Sequence, residues 1–482
     1  MAATTTTAVG NPLAPEWLTV PNDANDLPRA VWSDTAERRP SGDLAIGGVS
    51  VGRLIEQFGT PLYVVDEKHV RARAHDARRL FDREFTRIGS RAKVYYAGKA
   101  FLSTEVARWV TEAGLNVDVC TQGELAVALA AGVEPSRIGF HGNNKSRAEI
   151  DRAVGVGVGV IVIDSLVEIE RVAEAATAHG LVQPVRLRVN SGVHASTHEY
   201  LATAREDQKF GITLADTPET VARIRGHSSL SFLGLHSHIG SQIFGTDGFA
   251  EAAARLLTAH AGLLAGGDVP ELNLGGGFGV NYTRVDDAAP LETYARALAD
   301  VVAAECTRLG IPVPVVAVEP GRSIVGPAGT TLYTVGTIKD VSVSLADDTT
   351  AVRRYVSVDG GMSDNARPAL YGSDYMVRIA NRVSDAPAAL VRVAGKHCES
   401  GDLVVLADYL PADVREDDIL AVPVTGAYCW SLSSNYNHVG RPPVVAVVDG
   451  SARVIVHGET EADLLARDAG TTPPASPKNG TE

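Results

Sequence analysis

The chain has 482 residues, more than one ordinary domain holds, and its 45% hydrophobic and 21% charged residues match a globular protein with a full core. A net charge of −14 with no basic block argues against a nucleic-acid partner, and no apolar run of about 18 residues or more suggests a membrane span. The opening MAATTTTAVGNPLAPEW has neither a basic start nor an apolar stretch, so no export signal is read. Four cysteines (Cys120, Cys306, Cys398, Cys429) are too few for a disulfide scaffold and suit free thiols in a reducing cytoplasm. No CxxC or HExxH spacing points to a metal.

In chain order, residues 1–27 lack periodicity and are expected to be a mobile tail, as are residues 468–482. Residues 28–66 form an N-terminal segment whose stretch 44–66 is expected to lend one or two strands to a later β domain. A pattern of short apolar runs, each followed by a helical stretch, then begins. The runs are VYYAG (94–98), NVDVC (116–120), IGFHG (138–142), VIVID (160–164), VRLRVN (185–190), FLGLHSHI (232–239), ELNLG (271–275) and VVAVE (315–319). Segments between them, such as 103–114 and 165–180, carry apolar residues at i, i+3, i+4 spacing and close on Gly. Eight such units predict a (β/α)8 barrel over 67–325, with a doubly wound open sheet as the alternative. Over 326–467 the helical period gives way to β-rich runs at 331–343, 355–359, 389–395, 403–408, 443–450 and 452–458, which predict an all-β domain.

The residues with chemistry cluster just after the barrel strands, where this fold builds active sites. Lys99, one of only eight lysines, follows VYYAG directly. An amine at such a strand end can form a Schiff base with an aldehyde cofactor, although on position alone a surface lysine is the better reading. GGGFG (275–279) follows a strand and can cradle a phosphate with its backbone N–H groups, or it can be a plain tight turn. Glu319 opens EPGRS (319–323), where an acid can pair with a protonated ring nitrogen and Arg322 can clamp a carboxylate; a structural Glu–Arg pair is the plain alternative. His236 and His238 share one face of a strand, and either a ring-stacking imidazole or a satisfied core histidine fits. Cys398, in the β domain, reads by default as a buried inert thiol. Together an amine, a phosphate loop, a ring-nitrogen partner and a stacking face describe the needs of pyridoxal phosphate (PLP).

The motifs YYAGKA (95–100), DVCTQGEL (118–125), FHGNNKS (140–146), EDQKFGI (206–212), GLHSHIGSQ (234–242), GGGFG and EPGRS come in a specific order. With VDGGMSDNARPALYG (358–372), HCESGD (397–402) and AYCWSLSSNYN (427–437), they resemble the diaminopimelate decarboxylase family of fold-type III, alanine-racemase-like PLP enzymes from about Pro61 to Asp468. The resemblance implies a homodimer with shared active sites and meso-diaminopimelate as substrate. It implies that Lys99 carries PLP, that His238 stacks on its ring, and that Glu319 holds the ring-nitrogen proton. It places Gly277, Gly279, Ser241 and Tyr428 at the phosphate, within a cofactor set that includes Pro320, Gly321 and Arg322. It gives Arg322, Arg367, Tyr371, Glu399 and Tyr428 to the substrate, and makes Cys398 the acid that reprotonates the reacting carbon in the partner's barrel.

Two arginines with a glutamate suit a remote end bearing both a carboxylate and an ammonium. An ornithine- or arginine-type decarboxylase of the same fold is the nearest alternative. A racemase would pair the lysine with a tyrosine where CESGD supplies a cysteine, and a catalytically dead homologue has no need of Lys99, Glu319 and Cys398 together. Phe101, Ser191, His194 and Gly440 depart from the family pattern and put loop geometry in doubt.

Overall fold

The computed structural model describes residues 11–193 and 209–471. Strand β1 (Leu62–Asp66) leads into the helix Glu67–Arg87, which Asp66 caps by accepting the His69 backbone N–H. Its apolar side, including Val70, Ala77, Phe81 and Phe85, is buried. Eight parallel strands follow: β2 (Ala92–Ala97), β3 (Asn116–Val119), β4 (Ile138–Phe140), β5 (Val160–Ile163), β6 (Gln183–Asn190), β7 (Leu230–His236), β8 (Glu271–Asn273) and β9 (Val315–Val318). Each pairs with the next, and β9 returns to β2 with Val316 opposite Ala92. That last pairing closes the barrel and removes the open-sheet alternative.

The helices between strands start where the sequence supplies caps. Ser103, Thr121 and Ser146 accept backbone N–H groups at the starts of Thr104–Glu112, Gln122–Ala130 and Arg147–Val156, and Glu149 completes a capping box in the last. Because all eight strands run the same way, the residues just past their C-terminal ends share one rim.

The β domain is built on β10 (Gly329–Ser344), β11 (Thr350–Val358), β12 (Ala388–Ala394), β13 (Leu403–Pro411), β14 (Ile419–Pro423), β15 (Val444–Val448) and β16 (Ser451–Val456). The sheet runs β13-β12-β11-β10-β1-β15-β16, with β14 also paired to β10. Strand β1 therefore lies between β10 and β15, antiparallel to the first and parallel to the second. One apolar cluster runs without a break from the barrel (Phe81, Phe278) through Val325 into the β domain (Leu332, Val445).

Three features differ from the sequence expectation. Strand β14 was not anticipated, although all five of its residues are buried. Leu44–Ile46 does not join the large sheet but a small one with Glu37–Arg38 and Val49–Ser50. Residues 11–27 are not a mobile tail: Leu13, Ala14, Leu18 and Val20 pack on Leu390, Ala407 and Tyr409, and Asn25 donates to Ser384 O at 2.9 Å. Apolar residues too sparse to show a period still find a complementary face. Residues 1–10, His194, the first three residues of the 206–212 motif and the end of the C-terminal tail lie outside the described residues.

Candidate active site

A cleft of about 350 Å³ opens at the C-terminal rim, lined by Lys99, His238, Ser241, Gly277, Glu319, Gly321, Arg322 and, from the β domain, Tyr428. Lys99 sits on a single turn, Gly98–Ala100, directly after β2. The next carbonyl, Ala100 O, accepts the Tyr428 backbone N–H at 2.8 Å and the Ser431 hydroxyl at 2.9 Å, so a β-domain loop grips the lysine's turn. Tyr428 holds a φ of +64°, a left-handed conformation that costs a non-glycine residue about 1–2 kcal/mol. Such strain persists where the surroundings over-determine it.

The glycine loop between β8 and Gly279 approaches the cleft as only glycine can. Gly277 has a φ of +114°, and a Cβ there would lie 2.3 Å from Gly240 O. Gln242 braces the loop, donating to Val280 O at 2.6 Å and accepting from Val280 N at 3.2 Å. The Gly279 N–H is already taken by Ile243 O at 3.0 Å, so this residue secures the loop and does not face the cleft. Pro320 O accepts from Ala97 N at 3.2 Å, tying the EPGRS turn to β2.

His238 accepts the Gly276 N–H on Nδ1 at 3.3 Å, which fixes both the ring plane and an uncharged tautomer. Burial, with Lys99 adding to it, holds this imidazole well below its ordinary range. The result is a flat neutral ring on the cleft wall.

Glu319 lines the same cleft. Its Oε1 accepts from Asn273 Nδ2 at 2.7 Å and has His236 Nε2 at 3.1 Å and His141 Nε2 at 3.5 Å. Burial would raise this carboxyl, yet the two imidazoles bring it well below the usual range. Both rings are themselves pushed down to about 4 by burial. At neutral pH they are therefore uncharged N–H dipoles, not cations. Asp118, 3.2 Å from His141, is driven well above the carboxylate range by burial and by the Glu319 charge. Asp118 and Glu319 are thus shifted in opposite directions on either side of His141.

Residues 67–326 match the family described as pyridoxal-dependent decarboxylase, pyridoxal binding domain. The diaminopimelate decarboxylase of Mycobacterium tuberculosis is 49% identical over 452 residues, 92% of this chain and 99% of that protein. That of Bacillus subtilis is 42% identical over 438 residues, 90% of this chain and 97% of that protein. The crystal structure of the M. jannaschii diaminopimelate decarboxylase in complex with L-lysine superposes with a TM-score of 0.83 at 30% identity, covering 90% of this chain and 98% of that one. The chain belongs to the diaminopimelate decarboxylase family.

In this family member the two arginines meet around Tyr282 and Tyr428. Arg322 donates to the Tyr282 hydroxyl and, at 3.0 Å, to Ser241 Oγ, and lies 4.6 Å over the Tyr428 ring. Arg367 donates to the Tyr375 hydroxyl at 2.9 Å and Ser373 Oγ at 3.1 Å, with its guanidinium 5.2 Å from the Tyr282 ring. Both arginines are buried, and among the described residues their side-chain hydrogen bonds go to hydroxyl groups and not to a carboxylate. Buried cations without counter-ions mark a place for an anion. The donors at one end and the Glu319 carboxylate at the other are the chemistry a phosphorylated pyridine ring requires: Gly277 and Arg322 offer donors, and Glu319 offers an acceptor.

Cys398 and Glu399 are not in this cleft. They are exposed on the loop between β12 and β13, which Asp402 fastens by accepting His397 N at 2.7 Å and Met362 N at 2.6 Å. The inert buried thiol expected by default is therefore excluded for Cys398. Tyr371 is 43% exposed beside Arg367. Gly440 is required where it stands, because a Cβ would lie 2.7 Å from Glu459 O, and Phe101 packs edge-on against Trp430.

The sequence reading missed Asp118, His141, Asn273, Tyr282 and Tyr375. His141 and Asn273 stand at barrel strand ends, the same positional signal that singled out Lys99. Tyr282 lies in an aperiodic loop and carried no signal. His236 was grouped with His238, but only His238 lines the cleft; His236 sits beneath it against Glu319.

Proposed function

We propose that this chain decarboxylates meso-2,6-diaminopimelate to L-lysine and CO2, the last step of lysine biosynthesis, as a cytoplasmic homodimer using pyridoxal phosphate held by Lys99. The observation that carries the substrate choice is the pair of buried guanidinium groups, Arg322 and Arg367, beside the lysine–glutamate cleft, neither of which meets a carboxylate among the described residues. A remote carboxylate supplies the charge they lack, with Tyr371 at the edge of the same pocket. The four free cysteines, and the absence among the described residues of a helix long and apolar enough to cross a membrane, are compatible with the cytoplasm.

PLP, when bound, supplies an electron-accepting ring for the electron pair that departing CO2 leaves behind. Lys99 presents the amine that holds its aldehyde carbon. The His238 ring, locked by Gly276, offers a flat uncharged face for stacking. Gly277 N–H, Ser241 and Tyr428 surround the phosphate position, and Glu319 keeps a proton at the ring nitrogen. Cys398, exposed on a braced loop, is available to a neighbouring molecule. From a second copy its thiol would return the proton to the reacting carbon, with Glu399 facing the remote ammonium.

A CO2-release assay with meso-diaminopimelate, ornithine and arginine side by side tests the reading. Diaminopimelate is the expected substrate, and outright preference for ornithine or arginine would replace it. Purified protein should also be yellow, and borohydride should fix the cofactor to the Lys99 peptide; labelling elsewhere excludes Lys99. The shared site has its own test. Inactive Lys99→Ala and Cys398→Ala proteins, mixed so that subunits exchange, should regain up to about a quarter of wild-type activity, because about half the dimers then carry one intact site. No recovery despite proven exchange would put both residues in one chain's site.

A further inference from the structure

The mechanism above uses Glu319 but not the residues crowded behind it. His236, the last residue of β7, and His141, just past β4, approach the same oxygen, Oε1, at 3.1 and 3.5 Å, and Asn273 from the end of β8 reaches it at 2.7 Å. The two imidazole rings stand edge to face, with centroids 5.1 Å apart. His236 is 1% exposed and His141 7%. His141 Nε2 and both His236 nitrogens make no well-aligned hydrogen bond in the described structure. The other oxygen, Oε2, accepts no hydrogen bond among the described residues, and Glu319 lines the cleft. Three side chains from three strand ends thus converge on one side of a single carboxylate.

We propose that His141 and His236 are positioning residues for the ring nitrogen: together with Asn273 they bind Oε1 of Glu319, so that Oε2 faces the cleft as the ionised partner of a protonated ring. This deepens the PLP reading and rests on it. A carboxylate and a pyridine nitrogen share one proton in a buried site, and there are two ways to place it. Away from water the neutral arrangement, with the proton on the acid, is favoured, because burial penalises separated charges. N–H donors on Oε1 stabilise the carboxylate alone and tip the proton toward the ring nitrogen. Uncharged imidazoles suit this task better than a lysine or arginine would. A full cation at 3 Å would neutralise the carboxylate and weaken its hold on a second cation, the protonated ring. Burial and the Glu319 charge push the Asp118 carboxyl, beyond His141, well up, which disfavours a second anion there.

The test reads the ring nitrogen directly. Wild type and the variants His236→Phe and His141→Phe are reconstituted with PLP labelled with ¹⁵N in the ring, and the ¹⁵N shift is followed against pH. In wild type the nitrogen should remain protonated through neutral pH. Each Phe variant should lower its apparent pKa by about one unit or more, with kcat reduced about tenfold and KM changed by less than about threefold. His236→Asn, which restores an N–H donor, should recover part of both effects. Should the Phe variants fail to fold, His236→Ala and His141→Ala carry the same expectation. Variants that lose activity while the ring nitrogen stays protonated, or that lose neither, overturn the proposal. A wild-type protein that takes up no PLP would instead overturn the cofactor reading itself, so the two failures are distinguishable.

Discussion

Glu319→Gln should keep PLP bound and lose at least two orders of magnitude in kcat, about 3 kcal/mol of barrier. The replacement is nearly isosteric, and the surroundings dictate how it sits. Asn273, His236 and His141 crowd Oε1, and Asn273 donates to it directly, so the amide carbonyl will turn toward them. Its NH2 group must then face the cleft. A donor now meets the ring nitrogen where an anion stood, and a donor there requires the nitrogen to be unprotonated. The charge is lost and the direction of the hydrogen bond is reversed, which is why so small a change has so large an effect. Activity within a factor of about three of wild type, measured at saturating cofactor, would exclude the role.

Arg367→Ala should lower kcat/KM for meso-diaminopimelate by a factor of roughly 30 to several thousand, since losing a charge-assisted contact to a buried group costs about 2–5 kcal/mol. Lysine and ornithine have no remote carboxylate, so their slow turnover should hardly change. The ratio between substrates separates recognition from damage. Arg367 also donates to Tyr375 and Ser373, and losing those bonds would depress all substrates together. An equal fall for ornithine and diaminopimelate would make the arginine a structural residue.

The barrel was legible because most of its eight strands lie in short apolar runs ending in Gly or a polar residue, and because β5, VIVI, is fully buried as a parallel strand requires. Strand β14 escaped because Ile419–Pro423 follows a run of charged residues and is too short for its period to register. The segment 11–27 escaped because its apolar residues are spaced irregularly and gain meaning only from the face they meet. That Lys99, Glu319 and Gly277 gather at one cleft was legible from strand-end position and motif. The histidines behind Glu319 were not, because strand ends are visible in sequence but the pairing of inward faces depends on barrel register. Gly279 shows the reverse limit: its motif matched, while its N–H turned out to be committed to Ile243.

The place of β1 has a consequence for how the molecule is made. Residues 62–66 leave the ribosome before any barrel strand, yet their partners are Gly329–Leu332 and Val444–Val447. Throughout synthesis of the barrel this apolar strand has both edges open, a template for wrong pairing. Tyr428, which secures the Lys99 turn, also emerges late. A chain cut short after the barrel would therefore carry the reactive lysine on an unfastened turn behind an unpaired strand. Translation must pass Val447 before the amine, the strand and the loop that holds them are united.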